Sequence, residues 1–335
     1  MNVAFAAFGL TDPVVGRTEF YRQDLEILRS LGHQVELVKT PFGVSRRFDA
    51  LFVWWWNYLW MWGPVAKALG LPILTTGVFD LAIDESWPAW KRRLKYWGVT
   101  FSDLHVFISQ YEARSVALAL GLPQGKVRYC PLAIDTTVYR VANEHLNTGT
   151  FTILNVTWQE KRNLKRKMLF ELLEAFALVY RERQDVRLIL AGPPEDGGID
   201  LRRSADALRV GHAVSFPGEL TREEKIRLMQ QCSLYCQVSR YEGFGLAIAE
   251  AMACGAPVLV SAVGAVPEVV GECGTYVMDL TVQGLANGLR ECLANEADQT
   301  RRRRLAASRV EAEFSRERRR RDLGSWLEGL VQSRK

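Results

Sequence analysis

The sequence predicts an α/β protein made of two doubly wound halves that face a central cleft. Short apolar runs, typical of buried strands, alternate with longer amphipathic runs typical of helices. This alternation stops at a polar stretch and then starts again. The chain has 335 residues, which is too long for one compact core, so we expect two domains. Because strands and helices alternate, both sheets should be parallel and should bind ligands at the carboxyl ends of their strands.

The first predicted domain covers residues 1–145. Its N-terminal run, NVAFAAFG, is short and lacks a preceding basic segment, so it indicates a first strand and not a signal peptide. The segment FYRQDLEILRSLG predicts an amphipathic helix that ends at Gly32. Further strands are predicted from QVELVKT, ALFVWW, LPILTTG and HVFIS, and a further helix from EARSVALALG.

The second predicted domain covers residues 151–310 and follows a linker. The linker is the polar stretch NEHLNTGT, 143–150, which shows no apolar period. After it come the strand FTILNVT and a long helix over about 163–182. Later strands are predicted from VRLILAG, AVSFPG, SLYCQVS, VLVSA and TYVM, and later helices from EEKIRLMQQC and the residues after Gly245. A C-terminal helix over 311–335 completes the prediction.

Composition and charge favour an ordinary cytoplasmic globular protein. The net charge of +5 is spread over both halves, so charge alone does not indicate a nucleic-acid partner. The six cysteines are scattered without the spacing of metal ligands. We interpret them as small buried hydrophobic residues in a reducing compartment. The sequence predicts neither a metal site nor a cofactor.

The most informative segment is SRYEGFGLAIAEAMACGAPVLVSAVGAVPEVVG, which starts at Ser239. Seven residues separate Glu242, in the loop after a predicted strand that ends near Ser239, from Glu250 in the helix that follows. Gly243 and Gly245 let the backbone approach a ligand closely and expose amides at the helix N-terminus. Such amides suit the oxygens of a phosphate, and carboxylates suit the hydroxyls of a sugar. The segment therefore predicts a site for a sugar joined to a diphosphate.

This segment resembles the second domain of the retaining family 4 glycosyltransferases, which have the GT-B fold of two Rossmann-like domains and carry a Glu-x7-Glu signature. The resemblance continues through EAMACGAPV and a G-x-x-PE segment at Gly264, Pro267 and Glu268, and it includes LILAG, SFPGEL and LFELLEAFALV. It implies a retaining, metal-independent hexosyltransferase that moves a sugar from a nucleoside diphosphate sugar to an acceptor hydroxyl. It also implies a role in cell-envelope polysaccharide or glycolipid synthesis, with a saccharide or lipid-linked acceptor.

The resemblance also implies a role for each residue of the motif. Glu242 would contact hydroxyls of the donor sugar, and Glu250 would contact the ribose of the nucleotide. The turn at 218–220, which includes Leu220, would lie beside the base. Four backbone amides would hold the sugar or its phosphate: those of Gly243, Phe244, Gly245 and Leu246.

Relatives place an arginine and a lysine on the donor diphosphate, after the first strand of this domain. Counted back from Ala175, these two residues correspond to Arg162 and Lys167, with Met168 where relatives have glycine. Counted from the end of the strand, they correspond to Lys161 and Arg162. Arg162 is common to both registers, and the resemblance therefore favours it as the cation that stabilises the leaving diphosphate.

The first domain resembles the family less closely. The loop from Gly16 to Glu19 would approach the donor sugar and the acceptor. Many relatives have a histidine before an aspartate after the strand LPILTT, whereas this chain has Phe79 before Asp80. Asp80 is a candidate contact for a sugar, with a carboxylate that only stabilises a local turn as the alternative. The missing histidine leaves open a catalytically inactive module that binds a sugar nucleotide or scaffolds a membrane complex.

The aromatic run VWWWNYLWMWG, 53–63, contains five of the ten tryptophans. It is too short and too interrupted to be a membrane span. We predict that Trp54 and Trp55 pack the sheet. The run has more indoles than a core easily accommodates, because each buried N–H needs a partner. The tryptophans predicted to border an acceptor or a membrane are Trp56, Trp60 and Trp62.

Two further segments combine basic and apolar residues. In WPAWKRRLKYWG, 87–98, tryptophans and basic residues predict either an interfacial helix on anionic lipid at the inner face of the plasma membrane or an ordinary amphipathic helix. The tail over 301–321 carries ten arginines. We interpret it as a solvated helix face, and C-terminal helices in the family pack back across the domain junction. Binding to anionic lipid or nucleic acid is the alternative, and nucleic-acid binding would depend steeply on salt.

Overall fold

The computed structural model describes residues 1–7, 18–79, 87–142 and 149–334, without the side chains of 296–300. The described chain forms two compact units. The first unit contains Met1–Ala133 and Phe314–Lys335, and the second contains Ile134–Glu313. The chain thus passes from one unit to the other ahead of the polar stretch that the sequence predicts as the linker. The C-terminal helix belongs to the first unit.

The first unit is built on a six-stranded parallel sheet with the order β2-β1-β3-β4-β5-β6. Its core strands are buried on both faces, as expected for a sheet with helices on each side. The order changes direction between β1 and β3. Strand β6 was not predicted, because three residues are too few to show a period. The elements are β1 (Asn2–Ala6), α1 (Glu19–Ser30), β2 (Gln34–Val38), β3 (Ala50–Trp54), α2 (Leu59–Ala68), β4 (Ile73–Gly77), α3 (Ala89–Val99), β5 (Leu104–Phe107), α4 (Gln110–Leu120) and β6 (Val127–Tyr129).

The second unit also has a six-stranded parallel sheet, in the order β12-β11-β10-β7-β8-β9. This is the strand order of dinucleotide-binding sheets, and its direction changes between β7 and β10. Both sheets confirm the predicted α/β class. The elements are β7 (Phe151–Val156), α5 (Lys161–Arg166), α6 (Leu169–Glu182), β8 (Val186–Ala191), α7 (Gly198–Ala207), β9 (Val214–Gly218), α8 (Arg222–Gln231), β10 (Leu234–Gln237), α9 (Leu246–Ala253), β11 (Val258–Ser261), α10 (Val266–Val270), β12 (Thr275–Val277), α11 (Val282–Ala294) and α12 (Glu296–Glu313).

The long helix predicted over 163–182 is in fact two helices, α5 and α6. Between them Met168 adopts a left-handed backbone conformation, with φ +50° and ψ +42°, and its side chain is fully buried. Glycine adopts this conformation most easily, so the methionine here occupies a backbone position that side chains disfavour. The sequence pattern did not reveal the break, because a buried methionine continues the apolar period of a helix.

The basic tail forms α12 and then α13 (Arg316–Gln332), which packs on α1. Arg319 is 1% exposed, and its guanidinium donates to both carboxylate oxygens of Asp24, at 2.6 and 2.7 Å. The same guanidinium donates to the carbonyls of Cys130 and Pro131, and Trp54 Nε1 donates to Asp24. The prediction that the tail is a solvated face is therefore wrong for this arginine. Other tail arginines that donate to backbone carbonyls are Arg302, Arg303 and Arg309.

The six cysteines are buried and free, in agreement with their interpretation as small hydrophobic residues. Burial raises the pKa of the Cys130 thiol to about 11 and that of the Cys232 thiol to about 12. Both thiols therefore stay protonated at neutral pH.

His105 gives the first unit a predictable dependence on pH. Trp56 Nε1 donates to His105 Nδ1 at 3.0 Å. Burial, followed by the nearby Lys126 cation, lowers the pKa of His105 from 6.5 to about 4. The unfolded chain takes up this proton at a higher pH than the folded chain. The stability that the folded protein gains from neutral His105 is therefore complete above pH 6.5 and is lost as the pH falls towards 4.

We expect the titration of His105 to lower the free energy of unfolding by about 2 kcal/mol as the pH falls from about 7.5 to about 5. The variant His105→Gln cannot titrate but can still accept a hydrogen bond from Trp56, so this part of the loss should be absent. Urea unfolding of both proteins across this range measures the difference. Equal pH slopes would contradict the assignment.

Candidate active site

The acidic motif lies where the strand order of the second sheet changes direction. β10 ends at Gln237 beside β7, and the loop after β10 carries Glu242 to the start of α9. Glu250 lies in α9, as predicted. In doubly wound sheets the crevice outside the carboxyl ends of the strands at this point is the usual place for a ligand. The position of the motif therefore favours a binding site.

Glu242 is the centre of a buried charged cluster. Its Oε1 accepts hydrogen bonds from Gln237 Nε2 at 2.9 Å, from Ser239 Oγ at 2.8 Å and from Lys167 Nζ. Arg166 Nη1 lies 3.6 Å from Oε2. Burial alone would raise the pKa of Glu242, but the cations of Lys167 and Arg166 outweigh it and hold the pKa below its ordinary value. The carboxylate is therefore ionised at neutral pH.

Two glycines shape the loop that carries Glu242. Gly245 precedes α9 and has φ +88°, a conformation that side chains disfavour. Gly264 also has a positive φ, and a Cβ there would lie 2.2 Å from the carbonyl oxygen of Glu242. That carbonyl accepts from Ala265 N at 2.9 Å. The predicted G-x-x-PE segment thus supports the Glu242 backbone by close contact.

The first turn of α9 lies next to this loop. Leu246 is the first residue of the helix, and Phe244 before it is buried. The first amides of a helix have no carbonyl partner in the helix, so they attract anions. The predicted amides from Gly243 to Leu246 therefore lie at an end of α9 suited to a phosphate or a sugar.

Glu250 has its own lysine partner. It is 2% exposed, and its Oε1 accepts from Lys225 Nζ on α8 at 2.8 Å. Lys225 Nζ also lies 5.1 Å from the ring centre of Tyr139. Helix α8 follows the turn at 218–220 and starts with a reciprocal cap between Thr221 and Glu224. The sequence analysis missed Lys225, because α8 shows no motif that marks it.

The structure brings Lys167 and Arg166 to Glu242, but not Arg162. Arg162 and Lys161 are exposed at the start of α5, and the guanidinium of Arg162 lies 3.8 Å from Glu160. Arg166, at the other end of α5, donates to the carbonyl of Tyr241 at 3.1 Å. The structure thus places Arg166, and not Arg162, beside Glu242, and both arginines stay candidates for the donor diphosphate. Counting back from Ala175 in the sequence gave Lys167, which contacts Glu242, whereas Arg166, directly before it in the chain, was not singled out.

The structure describes only some of the residues of the first unit that the sequence predicts to contact a sugar or the acceptor. Gly16 and Asp80 lie outside the described residues. Glu19 accepts from Gln23 Nε2 at 2.9 Å on α1. Phe79, in the place of the family's histidine, is buried; its amide donates to Glu112 and its carbonyl accepts from the buried Lys95 at 2.7 Å.

The tryptophan run corrects one prediction. Trp56 and Trp62 are 0% and 1% exposed, so they do not border an acceptor or a membrane. A short 3₁₀ turn over 56–58 directs Trp56 inwards, where its ring stacks on Phe107. Trp55, predicted to pack the sheet, is half-buried at the end of β3 with φ +76°. The remaining tryptophans of the run are Trp54, which is buried as predicted, and Trp60, which is partly exposed.

This chain resembles known proteins in its sequence and in its structure. The sequence model of the family Glycosyl transferases group 1 matches residues 142–309. The MMP α-(1→4)-mannosyltransferase of Mycolicibacterium hassiacum is 29% identical over 181 residues, which are 53% of this chain and 42% of that protein. A glycogen synthase of Mycobacterium tuberculosis is 28% identical over 222 residues, 65% of this chain and 52% of that protein. The chain spans about half the length of the curated relatives it matches.

The solved structures extend the likeness to the whole chain. HepE of Anabaena in complex with UDP and glucose has a TM-score of 0.81 at 17% identity, covering 98% of this chain and 100% of HepE. The sucrose-phosphate synthase of Thermosynechococcus elongatus also has a TM-score of 0.81, at 19% identity, covering 99% of each chain. At such identities the likeness establishes the fold, and it confirms the predicted GT-B class.

Proposed function

The chain belongs to the group 1 family of glycosyl transferases, and on that premise we propose that it moves a sugar from a nucleoside diphosphate sugar to an acceptor hydroxyl with retention. The observation that carries the proposal is the buried cluster of Glu242, Lys167 and Arg166 at the crevice of the second sheet. The family resemblance assigns this carboxylate to donor-sugar hydroxyls and Lys167 to the diphosphate, and we assign Arg166 to the diphosphate as well because it lies beside the same carboxylate. The acceptor is a saccharide or a lipid-linked saccharide of the cell envelope.

In this mechanism the bond between the anomeric carbon and the diphosphate oxygen breaks, and the nucleoside diphosphate leaves with the electron pair. Lys167, Arg166 and the first amides of α9 take up the negative charge, so the reaction needs no metal. Cations already fixed by the fold need no reorganisation as the charge develops. The acceptor oxygen then bonds the anomeric carbon from the same face. A phosphate oxygen of the leaving group receives the acceptor proton.

Lys167 can serve both Glu242 and the donor. An ammonium group has three N–H donors, and one of them reaches Glu242 Oε1. The lysine is 13% exposed, so its remaining donors are not fully enclosed. Glu250, held by Lys225, corresponds to the family's ribose contact, with α8 following the turn assigned to the base.

A panel of nucleoside diphosphate sugars tests this proposal, beginning with UDP-glucose because HepE was solved with UDP and glucose. A sugar nucleotide present at about a hundred times its Kd should raise the Tm by about 5 °C or more. Arg162→Ala should keep this shift and Arg166→Ala should reduce it. No shift with any donor would count against the proposal. A shift without sugar transfer would favour the inactive module.

We further propose that the first unit binds an anionic membrane surface through α3. Trp90 and Trp97 are 64% and 50% exposed, and their spacing places them with Arg93 on one side of the helix. The other side, with Gly98 and Val99, is buried. An ordinary amphipathic helix presents polar side chains to water, whereas this one presents indoles beside cations. Among the described residues, no helix is both long and apolar enough to cross a membrane.

Replacing both Trp90 and Trp97 by serine should lower binding to phosphatidylglycerol vesicles by about tenfold or more, because each indole contributes apolar area at the lipid interface. Cosedimentation with vesicles measures this. Trp158, which is 51% exposed in the second unit, provides the matched control, and Trp158→Ser should leave binding unchanged. Equal partition of the double variant and the unmodified protein would contradict the proposal.

A further inference from the structure

Strand β10 carries two buried polar residues on one face. Tyr235 and Gln237 are two residues apart, so their side chains lie on the same side of the strand. They are 0% and 1% exposed. Tyr235 Oη donates to Gln237 Oε1 at 2.7 Å, and Gln237 Nε2 donates to Glu242 Oε1 at 2.9 Å. A directed chain of hydrogen bonds therefore runs from the strand to the carboxylate.

The chemistry of the three groups sets the direction of this chain. An ionised carboxylate only accepts hydrogen bonds, so Gln237 must present its NH₂ group to Glu242. Its carbonyl then faces Tyr235, whose hydroxyl must donate. Burial, together with the charges of Glu250 and Glu242, raises the pKa of Tyr235 well above its ordinary value, so the hydroxyl keeps its proton. The carbonyl and the NH₂ group of Gln237 can therefore both form hydrogen bonds in only one orientation of the amide.

The two oxygens of Glu242 have different surroundings. Oε1 receives three donors, from Lys167, Gln237 and Ser239. Among the described residues, the charged group recorded near Oε2 is Arg166 Nη1, at 3.6 Å, which is a charge contact and not a hydrogen bond. A carboxylate has about four lone-pair positions in all, so Oε1 has no capacity left, whereas Oε2 does.

We propose that Tyr235 and Gln237 are positioning residues that hold Oε1 of Glu242, so that Oε2 is the atom presented to a hydroxyl of the donor sugar. This inference rests on the proposed function. Gln237 touches Glu242 and acts through it, so it is not itself a catalytic residue. Without the glutamine, the carboxylate of Glu242 can rotate, so that Lys167 and Ser239 no longer both donate to Oε1.

The variant Gln237→Glu tests this relay, because it keeps the shape of the side chain and makes one donor titratable. A carboxyl buried beside a carboxylate has a raised pKa. When protonated, Glu at 237 can still donate to Glu242 and accept from Tyr235. When ionised, it repels Glu242. The ratio of kcat in the variant to kcat in the unmodified protein should therefore fall about tenfold as the pH rises from about 5 to about 8.

Release of UDP from UDP-glucose is the readout for kcat. Gln237→Leu should lower kcat about tenfold at every pH, and Tyr235→Phe should lower it about threefold. Gln184 is exposed on the surface of the same unit, so Gln184→Glu should match the unmodified protein across the whole range. A ratio for Gln237→Glu that does not change with pH would overturn the proposal.

A second readout needs no substrate. The urea midpoint of Gln237→Glu should fall further below that of the unmodified protein as the pH rises, because the two carboxylates then repel each other in the folded state alone. A difference that stays constant with pH would overturn the relay. If the unmodified protein turns over no sugar nucleotide but this pH-dependent difference is present, the proposed function fails and the hydrogen-bond relay stands.

Discussion

Replacing Glu242 by glutamine is expected to lower kcat/KM for sugar transfer by about 10²–10³-fold, the range found when one fixed polar contact to a transition state is removed. Glutamine has nearly the same shape, but it removes the negative charge that Lys167 and Arg166 face. It also replaces one carboxylate oxygen by a donor. Release of UDP from UDP-glucose, with and without added acceptor, measures the loss.

The control for this variant is Glu174→Gln, which changes an exposed glutamate on α6 and should leave the rate unchanged. Glu242 is buried beside a lysine, so its variant is also expected to be less stable. The rate is therefore compared at a temperature at which urea unfolding shows both proteins to be folded. A folded Glu242→Gln protein with a rate within about threefold of the unmodified protein, far from the loss expected for such a contact, would refute the role of Glu242.

The largest expected loss of stability in the first unit comes from Asp24→Asn, about 3–5 kcal/mol, the usual cost of breaking a buried ion pair. Asp24 and Arg319 are each 1% exposed, and asparagine leaves the guanidinium buried without a counter-charge. Arg319 lies on the C-terminal helix, so its loss of a partner should also loosen the packing of α13 on α1. Guanidinium chloride unfolding at neutral pH measures the change.

An exposed ion pair of the same type provides the comparison. Arg183 and Asp185 lie 2.7 Å apart, but their side chains are 41% and 49% exposed, so Asp185→Asn should change the free energy of unfolding by less than about 1 kcal/mol. The double variant Asp24→Leu with Arg319→Met removes both buried charges. It should be more stable than Asp24→Asn alone. If Asp24→Asn behaved like Asp185→Asn, the buried pair would not have the stabilising role assigned to it.

The order of strands and helices could be predicted because the relevant signals are local. A strand of a parallel sheet covered on both faces is a mostly continuous apolar run, and β3 is such a run, as is β1 after Asn2. The acidic motif was predictable for the same reason. Glu242, its glycines and Glu250 lie within one strand–loop–helix segment, so their relative placement follows from their spacing.

The partners of Glu242 were harder to predict because they depend on backbone conformation and on distant segments. The left-handed Met168 separates α5 from α6, and Arg166 at the end of α5, which no motif marks, lies beside Glu242. Gln237 has no motif, and its role appears only when the amide is seen between Tyr235 and Glu242.

Neighbouring residues thus carried enough information for the α/β class, the parallel sheets and the acidic loop, since apolar period and turn residues act over a few positions of the chain. The inward rotation of Trp56, the burial of Arg319 against Asp24 and the pairing of Glu250 with Lys225 join residues that are far apart in sequence. Such contacts depend on which side chains the folded sheets and helices bring within hydrogen-bond distance, and on whether burial there is offset by a partner. No local sequence pattern shows whether a buried polar group has a partner, because the group and its partner lie on different elements of the fold.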